Sequence, residues 1–228
     1  GVESNRIRDD FNAPTIDKGV KVSAVLDNEY KKEVKTNSII YSGLYNKSSS
    51  LNNLNQFIQA EKITKDLNPE YGTIQKLFTR NTNVLAFCEN KILKILANKD
   101  ALFNADGNTN IVATNRVLGQ TVPFLGEFGI SRNPESFANY GYRVYFTDKD
   151  RNAVIRLSGD GLTDISKTGM TTFFRDNLKE AGNIIGTYDE DKQNYNLTFN
   201  SKTVSFSEDV KGWTSLKSFL PESGVSLD

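Results

Sequence analysis

The most regular alternation of apolar and polar positions lies between Tyr142 and Ile165. Tyr142, Val144 and Phe146 alternate with Arg143, Tyr145 and Thr147, the period of an extended strand. The charged turn 148–152 follows, then a second strand over Ala153–Ser158, a tight turn at Gly159-Asp160-Gly161 and a third strand over Leu162–Ile165. The same plan recurs. Asn83–Glu89 and Lys91–Ala97 are two apolar runs around a break at Asn90. Asn183–Tyr188, Asn194–Phe199 and Thr203–Ser207 are joined by DEDKQ and NSK, and Trp213–Phe219 can supply a fourth strand. Earlier, Ser38–Tyr45 is followed by the Ser/Asn-rich turn KSSSLNNLN and then by QFIQAEKIT. Four strand-turn-strand units therefore start near residues 38, 83, 142 and 183.

One stretch breaks the two-residue period. In Gly169–Gly182, Met170, Phe173, Phe174 and Leu178 fall on one face at helical spacing, and Gly182 is a stop signal, so a short helix is predicted there. Residues 104–134 show no period and carry four glycines, which reads as a long loop excursion and a candidate contact surface. Before the units, Val20, Val22 and Ala24 alternate as one strand in an extended lead-in. The organisation expected is a lead-in over residues 1–37 and a β-meander domain over 38–228. The expected fold class is mainly β: repeated antiparallel meanders, propeller-like, partial or complete, with one short helix. The unit spacing of roughly 40–60 residues is that of radially repeated four-stranded blades. The alternative is a β-sandwich.

Composition narrows the function. The 28 basic and 28 acidic residues cancel, so no global charge footprint for nucleic acid exists, and no nucleic-acid motif is found. No apolar run reaches the roughly 18 residues of a membrane-spanning helix, and GVESNRIRDD is not a signal peptide. Histidine is absent, which removes the commonest general base near neutral pH and any Ser-His or Cys-His pair within this chain. The lone Cys88 cannot form an intrachain disulfide and, set in VLAFCEN, reads as a buried inert thiol. The chain starts at Gly1 and its one methionine is Met170, so an excised piece of a longer polypeptide is expected.

Candidate chemistry is sparse. The acidic turns Asp148-Lys149-Asp150 and Asp189-Glu190-Asp191 are the nearest approach to a calcium loop, but neither has full ligand spacing and both read as solvated hairpin turns. No carboxylate pair is singled out for glycoside hydrolysis. No catalytic, cofactor-binding or metal-ligating residue is assigned. Tyr140, Tyr142 and Trp213 are the candidate binding residues, on the condition that their rings are exposed as a platform; for Trp213 the rival reading is core packing.

Longer strings carry a resemblance. IIYSGLYN at Ile39–Asn46, GTIQKLF at Gly72–Phe78, KDALFNADG at Lys99–Gly107, GEFGISRNPESFANYGYRVYFTDKDRNAVIRLSGDGLTDIS at Gly126–Ser166 and KGWTSLKSFLPE at Lys211–Glu222 resemble segments of large virion structural proteins of tailed bacteriophages, of the marine cyanophage and crAss-like kinds. The resemblance runs from about Asn5 to Glu222. It implies a tail-nozzle or stabilisation component with propeller-like β domains and no catalytic residue. It also implies partners among other virion or tail proteins, homo-oligomeric in the particle, and location in a virion assembled in the bacterial host cytoplasm. The function expected is a non-enzymatic module acting through protein–protein contacts; the alternative is receptor or glycan recognition.

Overall fold

The structure, a computed structural model, describes residues 34–55, 57, 63–103 and 109–225. The predicted strand at Val20–Ala24 and most of QFIQAEKIT lie outside the described residues. The chain divides into two compact units, one of residues 1–69 and 96–120, the other of 70–95 and 121–228.

In the first unit, β1 (Ser38–Ile40) pairs antiparallel with β4 (Thr64–Asp66), and β2 (Tyr45–Asn46) with β3 (Leu51–Asn52). The expected first meander is thus two separate two-stranded ribbons. Gly43 explains part of the break: a Cβ there would stand 2.7 Å from Cβ of Asn53, so the chain turns back against itself at close range.

Three four-stranded antiparallel sheets follow, each with its strands in chain order. The first comprises β5 (Ile74–Arg80), β6 (Asn83–Cys88), β7 (Ile92–Phe103) and β8 (Thr109–Pro123). The second comprises β9 (Ala138–Tyr140), β10 (Arg143–Asp148), β11 (Ala153–Ser158) and β12 (Gly161–Asp164). The third comprises β13 (Ile185–Asp189), β14 (Asn194–Phe199), β15 (Lys202–Ser207) and β16 (Gly212–Lys217). The expected excursion over 104–134 is corrected by β8, which runs 15 residues through it. Ladder hydrogen bonds are made by backbone, so a strand without clean side-chain alternation still pairs.

Register explains the packing. On β10, Val144 and Phe146 point one way and Tyr145 the other, and the pairings Val144↔Leu157, Phe146↔Ile155 and Tyr145↔Arg156 keep each row on one face. Val144, Phe146, Ile155 and Leu157 join Leu85, Phe87 and Ile92 of the first sheet in one buried cluster. Tyr145 and Val154 join Tyr195, Leu197, Phe199, Val204 and Phe206 of the third sheet in another. The second sheet is therefore apolar on both faces, which a half-solvated antiparallel sheet is not.

The helix α1 (Thr171–Leu178) belongs to the cluster between the second and third sheets, through fully buried Phe174 and Leu178 with Met170 and Phe173 beside them. It is shorter than the predicted Gly169–Gly182; at its start, Gly169 stands at φ +76°, outside right-handed helical space. Strands β9 and β13 approach each other directly, whereas α1 lies against β11 and its Phe174 ring meets Trp213 of β16. The two sheets thus touch at their first strands and hold a helix between them toward their last.

Candidate functional site

The polar and aromatic side chains of greatest interest lie between the second and third sheets. Four tyrosines form a ladder there. Tyr140 stacks on Tyr188 at 4.5 Å between ring centroids, Tyr188 on Tyr145 at 5.6 Å, and Tyr145 on Tyr195 at 4.9 Å, with interplanar angles of 11°, 22° and 13°. Each ring sits on a strand: Tyr140 on β9, Tyr145 on β10, Tyr188 on β13 and Tyr195 on β14. Offset stacks of this kind add about 0.5–1.5 kcal/mol per pair beyond their area.

Two of the hydroxyls, those of Tyr145 and Tyr195, are committed. Tyr145 donates to Oε1 of Glu208 at 2.6 Å, and Arg156 Nη1 donates to Oε2 of the same carboxylate at 3.0 Å. Tyr195 donates to the carbonyl of Ser136 at 2.8 Å. Glu208 stands in the β15–β16 loop, so this pair of charges ties the third sheet to the second. Replacing both members of such a buried pair by apolar residues is often neutral, whereas removing one partner alone costs about 3–5 kcal/mol. Burial first, and then the Glu208 carboxylate, push the Tyr145 hydroxyl far above the ordinary tyrosine range. Burial raises Tyr195 as well, and burial with the Glu208 charge pushes Tyr188 up to about 12.

The three candidate binding rings do not converge. Tyr140 is half-buried at one end of the ladder. Tyr142, in the β9–β10 turn, is 57% exposed, with the Arg143 guanidinium 5.3 Å from its ring. Trp213 is packed among Phe174 and Phe206, and its indole N–H donates to the carbonyl of Ile165 at 3.0 Å.

The acidic turns are bound internally. Asp148 is fully buried and accepts from Gly129 N at 3.0 Å, Ser131 Oγ at 3.1 Å, and Arg151 N and Nη1, both at 3.1 Å. Burial raises its carboxyl above the ordinary range against these donors. Asp189 accepts from Lys192 N at 3.1 Å, the matching contact one sheet later. In both turns the last residue, Asn152 or Gln193, takes a left-handed conformation, at φ 54° and 50°. Asp148 is thus a clasp between the segment entering the second sheet and the turn leaving β10. Asp148→Ala would strand several of these donors at about 1–3 kcal/mol each. The expected loss in a urea melt is about 3 kcal/mol, with Asp148→Asn losing less.

Sequence reasoning had no signal for Glu208 or for the tyrosine ladder, because both depend on which strands meet across sheets. Among the described residues no three carboxylate or cysteine side chains cluster as metal ligands, and no helix is long and apolar enough to cross a membrane. Cys88 is fully buried, and burial, with the Glu89 charge, pushes its thiol up to about 11.

No curated protein matches this chain. A solved structure of a luciferin-regenerating enzyme is similar over 72% of this chain and 67% of its own, at 10% identity and a TM-score of 0.30, too low to carry an argument. Residues 18–227, nearly the whole chain, match the family model described as Crassvirus muzzle protein, and the chain belongs to that family.

Proposed function

We propose that the chain is a non-enzymatic structural module of the virion, associated with the tail and acting through contacts with neighbouring proteins, and that its three sheets are successive blades of a propeller-like array. Membership of a phage structural family carries the reading. The array geometry supports it: the second sheet is apolar on both faces, and the third sheet touches it at its first strand while α1 occupies the wider side between the two. Sheets that converge at one edge and diverge at the other fan about an axis, whereas the layers of a sandwich keep about 10 Å throughout.

The two buried carboxylates among the described residues are spent on the fold. Asp148 and Glu208 each hold several internal donors, a use that suits a scaffold. Receptor or glycan recognition is the less supported reading, since only Tyr142 of the three candidate rings is exposed, and the Arg143 guanidinium lies over it. Immunogold labelling of intact virions with antibodies to this chain tests the assignment. Label at the tail is expected; label confined to the head would overturn it.

A further inference from the structure

The two faces of the third sheet differ in kind. The rows facing the second sheet are apolar, with Tyr188, Tyr195, Phe206 and Trp213 across the four strands. The opposite face carries Thr187, Asn196, Ser205 and Ser215 in one row, and Ile185, Thr198, Thr203 and Lys217 in the next. Asn196, Thr198, Thr203 and Ser205 are nevertheless buried, at 4%, 7%, 0% and 0% exposure. The far face of the first sheet gives the contrast: its buried residues Ala86, Cys88, Leu93 and Ile95 are all apolar.

Residues 218–225 contribute to that burial. The Thr203 hydroxyl donates to the carbonyl of Phe219 at 2.6 Å, so the Thr198 hydroxyl, 2.8 Å away, must donate to Thr203. Asn196 Oδ1 accepts from Ser205 Oγ at 2.6 Å and from Lys217 Nζ at 3.0 Å. At the other end the segment seats closely: a Cβ on Gly224 would stand 2.2 Å from Cγ2 of Thr187. The apolar side chains of the segment are not what holds it, since Phe219 and Leu220 are 46% and 51% exposed.

We propose that this face is a receiving surface for one extended peptide segment, read by a carbonyl at Thr203 and a glycine at Thr187, and that the chain's own residues 218–225 fill it. The face is closed to a further sheet, because sheet-on-sheet packing needs an interdigitated apolar layer and this one is a ladder of hydroxyls and amides. The array therefore ends at the third sheet, and any added blade joins elsewhere. The seating of residues 218–225 depends on the register of the third sheet and on their contacts at Thr203 and Thr187, whether or not the sheets fan as a propeller.

The test uses the full chain carrying Gly224→Ala, in which the added methyl meets a stiff β-branched side chain. Release of the segment is read by Glu-specific proteolysis after Glu222, expected to speed at least 10-fold. A fluorescent peptide of residues 217–225 should then bind the variant at least 10-fold tighter than the parent chain, whose own segment competes at an effective concentration near millimolar. Thr187→Ser removes the clashing methyl, leaving the next atoms at 3.6 and 3.8 Å, and should restore protection to Gly224→Ala. Unchanged proteolysis in Gly224→Ala would overturn the proposal. So would a released segment with no peptide binding, or dimerisation of the variant through the bared face.

Discussion

Gly186→Ala is expected to destabilise the protein by more than about 3 kcal/mol, and Gly129→Ala by a similar amount. A Cβ on Gly186 would lie 2.0 Å from the carbonyl oxygen of Ser136 and 2.9 Å from the hydroxyl of Tyr195. A Cβ on Gly129 would lie 2.0 Å from the carbonyl oxygen of Glu89 and 2.6 Å from the nitrogen of Asn90. The obstacles are mostly backbone, which cannot swing aside as a side-chain tip can. Overpacking that forces backbone shifts costs about 1–3 kcal/mol and occasionally more, and these approaches are well inside van der Waals contact.

The two glycines play one role at two places. Gly129 lets the segment before the second sheet run against the first, where Ile130 N and Ser131 N donate to the carbonyls of Cys88 and Glu89, both at 3.0 Å. Gly186 lets β13 run against the segment before β9, where Tyr195 reaches the Ser136 carbonyl. Alanine at either site should therefore loosen one junction between sheets. At about 2–4 °C of melting temperature per kcal/mol for a chain of this size, a drop near 10 °C is expected by calorimetry. A drop below 2 °C for both variants would refute the close approach. Gly159, with nothing within 4 Å of its built Cβ, is the control that should tolerate alanine.

Those junctions also mark where the sequence stopped being legible. Strands with clean alternation were readable to within a residue or two: β11 and β14 fall on Ala153–Ser158 and Asn194–Phe199 as predicted. The turns were readable because their chemistry is local, an aspartate accepting from a backbone N–H three residues on. The opening strand of the second sheet, β9, was missed, since three residues hold too little pattern. Strand β8 was missed for a different reason: its stretch, carrying Gly119, shows no alternation to read. Of the candidate site, Tyr140 was named without its partners. Tyr188 and Tyr195 lie about 50 residues away in sequence, and only the meeting of two sheets brings them to the same column. For Trp213, the packing environment could be guessed from GWTSLKSF, but not that its N–H would be spent on Ile165.

That column leads to the second large effect, an alkaline unfolding driven by tyrosine. A tyrosine in the unfolded chain loses its proton near pH 10. In the folded chain Tyr145 and Tyr195 keep theirs well above that, because burial disfavours the phenolate and, for Tyr145, Glu208 adds both a hydrogen bond to the neutral form and a like charge against the ionised one. Between pH 10 and 12 the unfolded state therefore binds fewer protons than the folded one, and stability falls as pH rises. Each of these two groups contributes a slope of about 1.4 kcal/mol per pH unit. Tyr188, held up to about 12, adds a smaller part because its surroundings are partly solvated. A combined fall of about 3 kcal/mol per pH unit is large against a typical domain stability of about 5–15 kcal/mol, so cooperative unfolding is expected between about pH 10.5 and 12. The check is absorbance at 295 nm recorded alongside circular dichroism. Of the nine tyrosines in the chain, Tyr145 and Tyr195 should ionise only in step with loss of the fold. Tyr195→Phe should remove close to half of the slope contributed by the two buried hydroxyls. Smooth ionisation of all nine near pH 10 with the fold intact would mean that the ladder is open to water, and the account of the junction between the second and third sheets would fail with it.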